Sequence, residues 1–278
     1  MDPRKNDVTA SSISRYRLDD LRRLATSLTA SLGVAPPRAS AMATHLLWFD
    51  AAGASSHGIS TLPGWLERIE RKEIDPSATG RASLEHAGTA IFDAQFGLPP
   101  LTLETAAGIA SEKARDVGIG VVRVRHIGPM GSPAPIAAGL AIGPFATLIV
   151  GPSPSISLAL PTVEGLPAIY DTDLAKELGE NASPSEEWLH GFAPWVASLA
   201  GQDDWIVLAI SINALESLAS FHERSSKLLE SNPLGPRILA NRRQEARERG
   251  VFVSPDTLAA LKNWAGRANL PWPTVFGS

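Results

Sequence analysis

The chain has 278 residues, 44% hydrophobic and 19% charged, the balance of a globular protein with material for a substantial core. Its 25 basic residues against 29 acidic ones give a net charge of -4 with no basic face for nucleic acid, and the absence of cysteine excludes disulfides, thiolate metal sites and a cysteine nucleophile. No stretch approaches the roughly 18 apolar residues of a membrane span, and no apolar signal core opens the chain, so a cytoplasmic protein with a short disordered lead (residues 1–14) is expected.

Leu21, Leu24, Leu28 and Leu32 recur on one face of a first helix, with Asp19 and Asp20 at its positive N-terminal end. Pro36 and Pro37 open a second helix that Gly53 closes, and a third buries Leu62, Trp65, Leu66 and Ile69. "GRASLEHAGTAIFDA" reads as a hairpin, after which "LTLETAAGIASEKARDVG" is helical and ends at Gly118. "IGVVRVRHIG" is then a strand, "APIAAGLAIG" a short helix and "FATLIVGPS" a buried strand; "SPSISLALP" gives only a faint turn signal. "LPAIYDTDLAKELG" reads as strand into helix, "PSEEWLHGFAPWVASLAG" as a helix interrupted near Pro194, and "DWIVLAISI" as a central strand. Helices close the chain, the last opened by Ser254, Pro255 and Asp256. The alternation predicts an α/β protein in which residues 15–80 and 214–278 are helical parts that pack together around a central α/β part, 81–213.

Neither G-x-G-x-x-G nor G-x-x-x-x-G-K-[ST] occurs, so the usual phosphate cradles of nucleotide folds are absent, as are G-x-S-x-G and H-E-x-x-H. At "DAAGASSHGIS" the chain resembles the malate/L-lactate dehydrogenase family of the second kind, whose members carry D-x-x-G-x-x-S-H-G-[IV] at the end of a helix. The likeness runs on in order through "LPGWLERIERKEIDP", "AGTAIFDAQFGL", "ASEKARDVGIGVVRVRHIG", "LPAIYDTDLA" and the C-terminal third. It implies a mixed, non-Rossmann sheet flanked by N- and C-terminal helices, a homodimer, and NAD- or NADP-dependent reduction of a small oxo or imino acid. A Gly-rich nucleotide loop is then not expected.

The resemblance assigns catalytic roles to His57, as proton donor, to His126 and to Asp171; substrate contacts to Ser56, Thr61 and Arg125; and cofactor contacts to Gly128 and, weakly, His190, with no metal. Each has a plainer reading: His57 as a helix-end histidine bonded to backbone, His126 as a structural strand-end residue, Asp171 as a helix N-cap. The family arginine four residues after the first histidine, suited to a bidentate carboxylate clamp, is Thr61 here. Arg123 and Arg125 alternate on a strand and either replace it or are solvated charges. His45, His86 and His222 read as structural.

The segments flanking Asp171 are shorter than in the family, and Trp188, Trp195 and Trp205 are candidates to fill a vacated cofactor cleft. Two alternatives to the reductase therefore stand: a cofactor-independent acid–base enzyme (isomerase, cyclase or lyase) and a non-catalytic binding subunit. Trp65 and the tail "LPWPTVFGS" offer apolar surface for a second copy.

Overall fold

A computed structural model describes residues 15–152, 155–163, 165–177, 196, 198, 203–229 and 235–275. The expected lead at 1–14, the interrupted helix around Pro194, His190, Trp188 and Trp195 lie outside these residues.

After a short strand β1 (Arg15–Tyr16) come α1 (Leu18–Ser31), α2 (Pro36–Ala52) and α3 (Leu62–Glu70). The stripe Leu21, Leu24 and Leu28 of α1 is buried, whereas Leu32 falls just beyond the helix as its C-cap. Gly53 ends α2 at φ 85°, the left-handed region that a residue with a Cβ enters only at a cost.

The expected hairpin forms as β2 (Arg81–Glu85) antiparallel to β3 (Thr89–Asp93). The helix α4 (Pro99–Val117) then leads into β4 (Ile119–Arg125), parallel to β3. Contact between α4 and β4 is so close that a Cβ on Gly120 would sit 1.9 Å from the Ala110 carbonyl oxygen, so this crossing requires glycine. Next are α5 (Ala134–Ala141), β5 (Phe145–Val150) and β6 (Ile156–Leu160). The last corrects the faint turn signal of "SPSISLALP": Ile156–Leu160 form a strand antiparallel to β5, and the burial of its polar Ser157 is offset by the hydroxyl donating to Asp171.

β7 (Ala168–Asp171) runs directly into α6 (Thr172–Glu177), and β8 (Trp205–Ser211) returns to the middle of the sheet. The chain ends with α7 (Leu218–Leu229), α8 (Pro236–Arg249), β9 (Val251–Phe252) and α9 (Pro255–Arg267), whose first turn is capped by Ser254 accepting from the Thr257 N–H at 3.3 Å. The seven-stranded sheet has the order β2-β3-β4-β8-β5-β6-β7, and among the described pairs β3–β4 alone is parallel. This is the expected mixed α/β class and not the all-parallel Rossmann arrangement.

Two apolar clusters divide the interior. Val122, Val124, Ile149 and Val207 of the sheet pack under Leu103, Ala106 and Ala110 of α4 and Ala137 of α5. Leu21, Leu28, Leu46 and Leu66 pack with Val251, Leu261 and Trp264 in a helical layer made from both chain ends. Of the apolar residues expected to meet a second copy, Trp65 is buried and Trp272 stands edge-on to Tyr16 at 6.1 Å, while Val275 remains exposed. Trp205 is a core residue of the sheet, its indole flat against Gly151, where a Cβ would come within 2.7 Å. Since α2 contributes Phe49 to the first cluster and Leu46 to the second, its C-terminal end is fixed between the two layers. No helix among the described residues is long and apolar enough to cross a membrane.

Candidate active site

The D-x-x-G-x-x-S-H-G-I stretch braces itself. Asp50, in the last turn of α2, accepts the Ile59 N–H on Oδ2 at 2.7 Å, while the Ala54 N–H donates back to the Phe49 carbonyl at 2.9 Å. The carboxylate presses so closely on residue 58 that a Cβ there would lie 2.4 Å from Oδ2, which is why glycine follows His57. Burial pushes the Asp50 carboxyl up to about 7, against the Ile59 hydrogen bond and aided by the charge of Glu177, and its Oδ1 has no partner among the described residues.

This turn sets the ring of His57, half-buried, against Phe49 at 5.4 Å between centroids. Nε2 lies 3.7 Å from Glu177 Oε2, an ion-pair spacing longer than a hydrogen bond. Glu177 is itself held: Oε1 accepts the Ser56 N–H at 2.9 Å, and Oε2 is buried without a hydrogen bond among the described residues. On the other side, a Cβ at Gly131 would stand 2.7 Å from Nδ1, so glycine there leaves that nitrogen uncovered. His57, Thr61, Arg68, Met130 and Gly131 line one cavity of about 310 Å³, the small end of the range for ligand sites.

Asp171 is the N-cap of α6. Oδ1 accepts the N–H groups of Asp173 (3.0 Å) and Leu174 (2.9 Å), and Oδ2 accepts the hydroxyls of Ser132 (2.8 Å) and Ser157. Burial raises its pKa, opposed by these bonds. Among the described residues none of its bonds goes to an imidazole; it fixes the start of the helix whose last described residue, Glu177, faces the His57 ring.

The structure separates the remaining expected residues. His126 is exposed at the end of β4, at φ 53°, its Nδ1 3.0 Å from Asp93 Oδ1 and its ring stacked on Phe96 at 5.5 Å. It does not line the His57 cavity. Arg125 is exposed beyond that cavity, and Arg123 donates to Asp204 at 2.6 Å, so neither takes the place of the missing arginine. Ser56 contributes its N–H rather than its exposed hydroxyl. The Thr61 hydroxyl does line the cavity, but its proton is committed to the Gly58 carbonyl at 2.8 Å and it accepts from Trp65 Nε1 at 3.2 Å. Gly128 is filled from outside by Arg68, whose Nη2 would be 2.4 Å from a Cβ there.

Three contributors were not legible as such. Glu177 lies six residues past Asp171 and meets His57 only through the tertiary fold. His45, read as structural, lines the cavity from α2; burial pushes its pKa down to about 4, so its ring is neutral at neutral pH. Arg68 follows Thr61 by seven residues, two helical turns on the same face, a spacing that could have flagged it. No group of three or more His, Asp or Glu side chains among the described residues is arranged to hold a metal ion.

A family model described as malate/L-lactate dehydrogenase matches residues 16–155. Among curated proteins, L-sulfolactate dehydrogenase of Methanocaldococcus jannaschii is 32% identical over 82 residues, 30% of this chain and 24% of that protein. L-lactate dehydrogenase of Cupriavidus necator is 28% identical over 127 residues, 45% of this chain and 36% of that protein. These matches thus span about a quarter to a third of the relatives' own length. Among solved structures, malate dehydrogenase from Pyrococcus horikoshii OT3 superposes with a TM-score of 0.76 at 18% identity, covering 93% of this chain and 96% of that one. A delta1-piperideine-2-carboxylate reductase from Pseudomonas syringae gives 0.71 at 15% identity over 90% and 99% of the two chains. At these identities the superpositions speak for the fold.

Proposed function

Because the chain belongs to the malate/L-lactate dehydrogenase family, we propose that it is an NAD(P)-dependent oxidoreductase of a small 2-oxo or imino acid, with His57 as the proton donor. The observation that carries this reading is the His57 site itself: an imidazole at the mouth of a small cavity, one nitrogen beside a held carboxylate and the other uncovered.

A reduced nicotinamide, when bound, supplies the hydride. The chain's own residues do the rest. His57 Nδ1, left open by Gly131, delivers the proton to the oxygen or nitrogen of the reduced double bond. Glu177 stabilises the charged imidazole and, through the Ser56 N–H, ties it to the turn. A nicotinamide, if held here, would have its ring end beside His57, where the glycine at 131 keeps a Cβ off Nδ1. Of the two expected cofactor residues, Gly128 serves instead to admit Arg68, and His190 lies outside the described residues.

Titration with NADH and NADPH, followed by tryptophan fluorescence, tests the reading. Micromolar binding of one of them, and its oxidation by a 2-oxo acid, is expected. A chain that binds neither nucleotide is not a reductase. The pairing of His57 with Glu177, complete without a cofactor, then favours a cofactor-independent acid–base enzyme.

A further inference from the structure

We infer that Arg68 holds the substrate carboxylate and that the site selects monoanionic acids with an apolar body against dianions. The inference rests on the reductase reading for its chemistry, but its geometry is independent of the cofactor.

Arg68 is the one permanent cation lining the His57 cavity among the described residues. It follows Thr61, the N-cap of α3, by seven residues, and Thr61 leaves the family's arginine position without a charge. Its guanidinium is pre-set: Nη1 donates to the Pro129 carbonyl at 2.9 Å, and the group lies over the Trp65 ring, 4.8 Å from its centroid. Glu73 stands 3.7 Å from Nε, beyond hydrogen-bond reach, on the outer half-exposed side. Nη2 has no hydrogen bond among the described residues, and only the glycine at 128 makes room for it. Burial pushes its pKa down against the pull of Glu73, as for a partly desolvated cation without a full counter-ion. A carboxylate in the cavity, beside the guanidinium that lines it, supplies that counter-ion.

A second anionic group on the substrate has no such partner. His45 is neutral, and at the opposite end of the cavity the charge of the His57 imidazole is already matched by Glu177. The remaining wall is apolar, formed by Leu46, Phe49, Trp65, Pro100 and Met130. A dianion would bury one charge against hydrocarbon or beside carboxylates, whereas an alkyl or ring substituent is desolvated favourably there.

The test is binding of 4-methyl-2-oxopentanoate and of oxaloacetate, read by Trp65-dependent fluorescence, with and without NADH or NADPH. The monoanion is expected to bind at least about tenfold more tightly than the dianion, and Arg68→Met to weaken it by roughly thirtyfold while Arg68→Lys restores part of the loss. Thr61→Arg, which adds a second cation on the same helical face, should narrow the gap between the two acids, and it keeps the test open if Arg68→Met fails to fold. Equal or tighter binding of oxaloacetate, no binding of either acid, or an Arg68→Met variant with unchanged affinity overturns the inference. Acid binding with this pattern but no nucleotide binding overturns the reductase reading alone.

Discussion

Two histidine–carboxylate pairs, His57 with Glu177 and Asp50 behind it and His126 with Asp93, occupy opposite environments. The first is half-buried between two layers, with carboxylate oxygens left unpartnered among the described residues; the second is a more exposed pair at a strand end, hydrogen-bonded through Asp93 Oδ1 and stacked. Their carboxylates diverge accordingly. Burial holds Asp50 up at about 7. At Asp93 desolvation acts in the same direction, yet the hydrogen bonds from His126 and the Gln95 N–H, with the charges of His126 and Arg81, outweigh it and hold the group low. An unsatisfied, desolvated group is available for chemistry, and a satisfied exposed one is not.

The largest effect that would test this contrast is on stability against pH. Asp50 rises from 3.8 to about 7 in the folded chain, so its folded form binds the extra proton and its contribution is lost as pH climbs through that window, about 4 kcal/mol in all. His45 falls from 6.5 to about 4, so its contribution is instead lost as pH drops through its own window, about 3 kcal/mol. The two slopes oppose each other. Urea unfolding of His45→Phe should therefore show stability falling from pH 4 to 7, and Asp50→Asn should show it rising. Parallel curves for the two variants would mean that the buried acid is not where the geometry puts it.

Activity comes next. His57→Ala should lower kcat/KM by about 10²-fold or more with the melting temperature held, the scale of a lost general acid. A variant with full turnover would reduce the SHG turn to a structural motif.

Asp171→Ala removes a helix cap and leaves the Ser132 and Ser157 hydroxyls without their acceptor, which should cost about 2 kcal/mol of stability. Its loss of activity should be smaller than that of His57→Ala, since the side chain reaches the ring only through α6 and Glu177. If the activity losses match, Asp171 acts more directly than its hydrogen bonds indicate.

The smallest effect belongs to the other pair. His126→Asn keeps a residue type tolerant of the left-handed backbone and should change stability by no more than about 0.5 kcal/mol. Steady-state rates should stay within about twofold of the parent. A large loss of turnover would restore His126 to the site.

Helices α1 to α3, the hairpin, and the strands β4, β5 and β8 were legible because each carries its own periodicity and its own stop, such as Gly53 and Gly118. β6 was not, since Ser157 breaks the apolar pattern and is tolerated because Asp171, fourteen residues on, accepts a hydrogen bond from its hydroxyl. The site divided the same way. His57 was found by a motif whose Asp50 and Gly58 brace the turn within ten residues, a constraint local enough to be written in the chain. His126 and Arg125 matched the family's order of residues, but a strand end fixes position along the chain and not which cavity a side chain enters.

Sequence by itself carried the family, through the order of its motifs, and it determined the α/β class and the histidine turn, because backbone propensity, apolar period and close glycine packing act over short separations. The tertiary structure alone decided that Glu177 rather than Asp171 faces His57, that the Thr61 hydroxyl is already engaged, and that Arg68 supplies the charge missing beside it. Those outcomes depend on where α6, α3 and the loop after β4 come to rest against one another, and burial, which sets both the partners and the protonation of these groups, exists only once the layers have packed.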